Sequence, residues 1–143
     1  LFREELLVLC GAEHPLFEQE TVALRDLRHE PFISFACATE GMGLEPMSVL
    51  REGTRLGSRI NGLSTNIEEV RRMIVAGLGV GILPLMTAQD DIRRGDLWPL
   101  KITDEAIGAD VYLVHAPREK LSPSEQKFVD IAEELLALYP DMA

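Results

Sequence analysis

The chain has 143 residues, of which 46% are apolar, and it carries a formal net charge of −10. This length and apolar content predict one compact domain or two small lobes. The acidity argues against direct DNA binding, since neutralising phosphates requires a basic surface. No apolar run reaches the roughly 20 residues of a membrane span, so we expect no membrane partner.

The start of the chain has neither an initiating Met nor a signal peptide. Arg3, Glu4 and Glu5 lie where a signal peptide would be apolar. Cys10 and Cys37 lack a C-x-x-C spacing, so we expect both thiols to be reduced. These features favour a cytoplasmic fragment of a longer bacterial protein.

Short apolar runs alternate with turn residues in the first half of the chain. The expected elements are a strand at 5–10, helical turns at 21–27, a strand at 31–35, a short helix at 45–52 and a weaker strand at 56–63.

The strongest local pattern is Thr65-Asn66-Ile67-Glu68, which is typical of a capping box. In this motif the Thr65 hydroxyl accepts from a first-turn amide and Glu68 reaches back. A helix is therefore expected from about Asn66 until Gly77 ends it.

The second half continues the alternation and closes with a helix. The expected elements are a strand at 80–84, a helix at 86–94 ended by Gly95, strands at 96–102 and 110–116, and a last helix capped by Ser122-Pro123-Ser124-Glu125, with an apolar face of Phe128, Ile131, Ala132, Leu135 and Leu138. Alternating strands and helices predict an α/β chain with a mainly parallel sheet.

The glycine-rich run at 77–81 could suggest a dinucleotide site. That fingerprint must follow a strand and open a helix, whereas here a helix comes first and a strand follows. The pattern therefore favours tight turning and close backbone packing.

Candidate metal and catalytic groups are scattered. The sequence contains no H-E-x-x-H, no closely spaced Cys/His pair and no G-x-S-x-G, so we expect no metal, no cofactor and no enzymatic activity. The acidic pairs are interpreted as solvated charges on helix surfaces: Glu68-Glu69, Asp90-Asp91 and Glu133-Glu134.

A ligand edge is the remaining candidate. Ser34 and Phe35 close one strand, and Ser64, Thr65 and Asn66 open the strongest helix. Open α/β sheets bind ligands at the carboxyl ends of strands and at helix N-termini. The plainer alternative is that Thr65 is only a helix cap and Ser34 only a strand-end residue. The residues alone favour that alternative.

Three stretches resemble the regulatory domain of LysR-type transcriptional regulators. Residues 6–16 resemble the family's strand and His-Pro-Leu turn, and residues 24–35 resemble its next turn and strand. Residues 66–84, with Val75-Ala76-Gly77-Leu78-Gly79-Val80-Gly81-Ile82-Leu83-Pro84, give the most specific match. The order and spacing cover essentially the whole chain.

The resemblance implies the type 2 periplasmic-binding-protein-like fold, with two lobes joined by crossover strands. Residues 1–143 would then be an effector-binding domain truncated at its N-terminus. Residues of about 20–110 would form a complete second lobe, and 1–19 and 111–143 the hinge strands and a first-lobe remnant. The winged helix-turn-helix would be missing.

The resemblance also implies a function and a site. A small-molecule effector, expected to be a small organic anion, would bind between the lobes of a homodimer or tetramer. The missing N-terminal domain would bind the DNA. By position, the implied effector-binding residues are Ser34, Phe35, Ser64, Thr65, Val80 and Gly81.

Two other classes remain open. A free-standing type 2 periplasmic solute-binding protein would have the same fold. A transferase or dehydratase could also be built on it, but would need a catalytic constellation that the sequence does not display.

Overall fold

The computed structural model describes residues 2–36, 56, 59–102 and 108–138. The chain divides into two compact units. The larger unit is Glu5–Ile107, and the smaller unit combines Leu1–Glu4 with Gly108–Ala143. The helix expected at 45–52 lies outside the described residues, as does Cys37.

The larger unit is built on a five-stranded sheet. Its strands are β1 (Phe2–Gly11, shared with the smaller unit), β2 (Pro31–Phe35), β3 (Arg59–Ser64), β4 (Val80–Pro84) and β5 (Leu97–Pro99). Their order across the sheet is β3-β2-β4-β1-β5. β2 runs parallel to β3 and β4, and β1 runs antiparallel to β4 and β5. Four strands therefore point the same way, and the expectation of a mainly parallel sheet is confirmed.

Among the described residues of the larger unit, three helices accompany this sheet. They are α1 (Leu24–Leu27), α2 (Ile67–Val75) and α3 (Leu85–Arg94). Helix α2 buries Val70 and Ile74, which are one turn apart. These side chains share a core with residues from the strands and α3: Leu9, Ile33, Leu83, Ala88 and Leu97. The predicted helical spacing therefore marks the buried face of α2.

Most strand and helix predictions agree with the structure. The strands expected at 31–35 and 80–84 match β2 and β4, and Gly95 ends α3 with a φ of 80°. β5 ends at Pro99 rather than at residue 102. Beyond Pro99 the amide of Leu100 still donates to the carbonyl of Val8 at 2.8 Å, but Ile102 forms an isolated bridge with Val22 and no longer pairs with β1.

The glycine-rich turn is a packing device. A Cβ on Gly79 would lie 2.3 Å from the carbonyl oxygen of Pro31, and one on Gly81 would lie 2.4 Å from Cδ1 of Ile74. The backbone at Pro31 leaves no room for a side chain at position 79, whereas a side chain at position 81 would require the end of the Ile74 side chain to shift. The interpretation of this run as close backbone packing is confirmed.

Asp91 corrects the interpretation of the acidic pairs. We expected Asp90 and Asp91 to be solvated, but the Asp91 side chain is 4% exposed. Arg71 of α2 lies with its Nη1 2.6 Å from Oδ2 of Asp91, and Arg94 also donates to this carboxylate. The partner on α2 lies far away in sequence, so helix periodicity alone could not show that this position is covered.

The described residues of the smaller unit include the start of β1, a further strand and one long helix. Strand β6 (Gly108–Val111) pairs with β1, and Arg3 lies 3.3 Å from Asp110. A 3-10 turn (Arg118–Lys120) precedes helix α4 (Pro123–Leu138). The hydroxyl and the amide of Ser122 both donate to Oε2 of Glu125, at 2.6 and 2.7 Å. The hydroxyl bond, followed by the amide bond, lowers the pKa of the Glu125 carboxyl. The predicted helix start is confirmed.

The strand and the apolar face expected in this unit differ from the prediction. The strand predicted at 110–116 ends at Val111, and Val114 beyond it is 88% exposed. The predicted face of α4 is largely exposed as well, with Phe128 at 62%. Both patterns are typical of buried segments, but within the described residues these side chains have no core to enter.

The buried Asp91 allows a stability test. Asp91→Asn should lower the free energy of unfolding by about 2–3 kcal/mol, because Arg71 and Arg94 would both lose the buried carboxylate that they share. Asp90→Asn is the matched control: its side chain is 68% exposed, so the change should stay within about 0.5 kcal/mol. Urea unfolding would measure both. Equal effects at the two positions would contradict the structural role of Asp91.

Candidate functional site

Three strands of the larger unit end at the same side of the sheet. Phe35 at the end of β2 is level with Ser64 at the end of β3, and the parallel strand β4 ends at Pro84. We call this set the carboxyl edge: Ser34, Phe35, Ser64, Thr65 and Pro84. In open parallel sheets such an edge is the usual place for a ligand.

Two helices begin at the carboxyl edge. Helix α2 follows β3 after Thr65 and Asn66, and α3 follows β4 directly, with Pro84 as its N-cap residue. Pro84 makes no side-chain cap hydrogen bond. First-turn amides and the positive ends of both helix dipoles therefore lie near the strand ends, where they favour acceptor groups.

Four of the six predicted site residues lie together at this edge. Ser34 is level with Leu63, one position before the Phe35–Ser64 pair. The amide of Ala36 donates to the carbonyl of Ser64 at 2.9 Å, which extends the contact between the two strand ends. Ser34 is buried, whereas Thr65 is exposed. The edge thus combines a covered and an accessible hydroxyl.

Val80 and Gly81 lie elsewhere. Both are buried at the amino end of β4, where Val80 is level with Phe32 and Gly81 with Ile33. The end of β4 that reaches the carboxyl edge is Pro84. The sequence carried a signal for it, since the run 80–84 was expected as a strand and a ligand is expected where a strand ends.

The cap of α2 is Asn66 rather than Thr65. Its Oδ1 accepts from the amide of Glu68 at 2.9 Å. Glu68 does not reach back but accepts from Arg71, which forms the i,i+3 ion pair. The capping box predicted from Thr65 is therefore wrong. The helix begins one residue later than that motif requires, because β3 continues to Ser64.

Ser64 holds a hydrogen-bond chain that sequence reasoning missed. Its Oγ accepts from the amide of Asn66 at 3.0 Å and donates to Oε2 of Glu69 at 2.5 Å. Ser64 and Glu69 are five residues apart, one at the end of a strand and the other in a helix. No sequence motif predicts a contact at this spacing, so only the fold reveals it.

The metal-ligating side chains and the Cys10 thiol are the next candidates among the described residues. Among them, no group of three or more His, Cys, Asp and Glu side chains is placed to hold a metal ion. Cys10 is buried, and burial followed by the charge of Glu30 raises its thiol pKa to about 11. Such a thiol is a poor nucleophile.

No helix among the described residues is long and apolar enough to cross a bilayer.

Comparison with protein families decides the relationship. The family model described as the LysR substrate binding domain matches residues 1–137. The chain belongs to this LysR family. Its fold is accordingly the periplasmic-binding-protein-like type 2 fold expected from the sequence.

Solved LysR effector domains share this fold. The effector binding domain of QuiR, in complex with shikimate, matches with a TM-score of 0.72 and 21% identity, over 92% of this chain and 61% of that chain. The CcmR regulatory domain of Synechocystis PCC6803, in complex with 2-PG, matches with a TM-score of 0.67 and 22% identity, over 91% of this chain and 62% of that chain. Identities this low show the fold alone.

Curated LysR relatives are named as transcriptional regulators. GltC of Bacillus subtilis, a transcriptional dual regulator, is 27% identical over 91% of this chain and 42% of its own length. CfxR of Cupriavidus necator, an HTH-type transcriptional regulator, is 24% identical over 84% of this chain and 37% of its own length. The chain spans less than half the length of these relatives.

The capping assignment can be tested by a pair of variants. Asn66→Ala should reduce the free energy of unfolding by about 1 kcal/mol, because the amide of Glu68 would lose its acceptor. Thr65→Ala should leave stability unchanged within about 0.5 kcal/mol, because Thr65 is exposed and is not the cap. Thermal and urea unfolding would compare the two. A larger loss of stability in Thr65→Ala than in Asn66→Ala would show that Thr65 is the cap.

Proposed function

We propose that this chain is the effector-sensing part of a LysR-type transcriptional regulator that binds a small molecule at the carboxyl edge. One observation carries the proposal. In a chain that the LysR domain family matches over residues 1–137, three strand ends and two helix N-termini converge on one edge. DNA would be bound by a domain outside this chain, in keeping with the net charge of −10.

The proposed effector contacts are Ser34, Phe35, Ser64 and Thr65. Val80 and Gly81, which we expected to contact the effector, lie at the other end of β4. We therefore propose that they support the position of β4 instead. A small organic anion is the proposed ligand class, supported by the helix N-termini at this edge.

The domain organisation is proposed as follows. Residues of about 20–110 form the second lobe, and 1–19 and 111–143 are hinge strands and part of the first lobe. The rest of the first lobe would precede this chain in the full-length protein. The coverage of 61% and 62% of the solved domains supports this division, because over 90% of this chain is matched.

The proposed mechanism is a shift between conformations. Effector binding would favour one arrangement of the lobes in a cytoplasmic homodimer or tetramer. That arrangement would change how the DNA-binding domains engage their site, so effector and DNA affinities would be coupled reciprocally. A free-standing solute-binding protein would lack such coupling, and the curated relatives favour the regulator.

The effector site can be tested by ligand stabilisation. We expect at least one small carboxylate at millimolar concentration to raise the melting temperature of the full-length protein and to alter its DNA affinity. In Thr65→Val, at least five times more ligand should be needed for the same rise in melting temperature, because the Thr65 hydroxyl is lost as a hydrogen-bond donor and acceptor. Thr21→Val is the control, since Thr21 is exposed and lies outside the carboxyl edge. A library without any stabilising carboxylate would count against the proposed ligand class.

The first-lobe assignment predicts how the smaller unit behaves. An open groove of about 430 Å³ there is lined by apolar side chains that include Leu113, Leu121 and Phe128. We expect the 143-residue chain to bind a dye for exposed apolar surface strongly, because such patches are rare on complete domains. The full-length protein should bind it weakly. Equal dye binding by both proteins would contradict the assignment.

A further inference from the structure

The hydroxyl of Ser64 already has a carboxylate partner within the protein. Oε2 of Glu69 lies 2.5 Å from Oγ of Ser64 and accepts its hydrogen. The same Oγ accepts from the amide of Asn66. The one hydrogen of Ser64 is therefore engaged with Glu69, and an effector that leaves this bond intact can contact the Ser64 hydroxyl only by donating to its remaining lone pair.

The two acidic residues in the first turn of α2 have different surroundings. Glu68 forms an ion pair with Arg71 at 2.9 Å, and Arg71 also donates to Asp91. In the part of the chain described, Glu69 forms no ion pair, and its polar contact is the neutral hydroxyl of Ser64. The negative charge of Glu69 therefore lies beside the carboxyl edge, and no guanidinium of the described residues is paired with it.

This charge acts differently on two kinds of effector. A simple carboxylate must either displace Glu69 from Ser64 or lie next to a second negative charge, and both weaken binding. An effector with an ammonium or hydroxyl group near its carboxylate can donate that group to Glu69. Its own carboxylate can then face the exposed Thr65 and the start of α2.

We propose that Glu69 is the specificity-determining residue of the carboxyl edge and selects α-amino or α-hydroxy acids over simple carboxylic acids. The inference rests on the proposed function, since it needs the carboxyl edge to be the effector site. It narrows the proposed ligand class from small organic anions in general to those that also carry a hydrogen-bond donor.

Three acids with the same carbon skeleton test this selection. Propionate, lactate and alanine differ only in the group next to the carboxylate: hydrogen, hydroxyl or ammonium. Calorimetric titration of the full-length protein should show alanine binding about tenfold more tightly than propionate, with lactate between them. In Glu69→Gln the affinities for alanine and propionate should come within about twofold, because the charge is removed while a side-chain oxygen acceptor remains.

Glu68→Gln is the matched control for a first-turn charge. Glu68 is already paired with Arg71, so this variant should keep the order of the three affinities. An unchanged order in Glu69→Gln, equal affinities in the unmodified protein, or no binding of any of the three acids would each overturn the role of Glu69. The broader carboxylate library judges the proposed function separately, because a stabilising acid found there would retain the site without this specificity.

Discussion

The position of Ile74 governs the larger unit. Its backbone and its side chain each approach a glycine of a neighbouring strand closely. A Cβ on Gly11 would lie 2.5 Å from the carbonyl oxygen of Ile74, and one on Gly81 would lie 2.4 Å from its Cδ1. The end of helix α2 can therefore lie close to β1 and β4, while the helix also packs on β2 and β3. These contacts hold the helix on the sheet with its N-terminus beside the end of β3.

The sequence predicts those parts of the fold that depend on residues close together along the chain, and it misses those that depend on residues far apart. β2 and β4 could be predicted to the residue, because short apolar runs between turn residues suffice to define buried strands. The helix at Pro123 was equally predictable, because its cap is formed by neighbouring residues. The burial of Asp91 was not, because Arg71 approaches from another helix. The exposed face of α4 likewise depends on what packs against it.

The candidate site was likewise predictable only where its residues are placed by local strand and helix patterns. Ser34, Phe35, Ser64 and Thr65 could be grouped in advance because parallel strands end at a common edge. Val80 and Gly81 were added by the family resemblance, which gives a position along the chain and not the end of the strand, and they lie at the amino end of β4. The Ser64–Glu69 contact required the angle at which a strand turns into a helix. No local propensity encodes that angle.

Helix α2 has one side that packs in the core and another that is exposed at the carboxyl edge. Val70 and Ile74 are buried in the core, while the adjacent Glu69 is exposed beside the strand ends. Exposed helix positions tolerate replacement with little loss of stability. Position 69 can thus vary between descendants of one ancestral protein while the core stays intact. If Glu69 selects the effector as we propose, a gene duplicate could acquire a response to a different metabolite through a single exchange there, without first having to evolve a new scaffold.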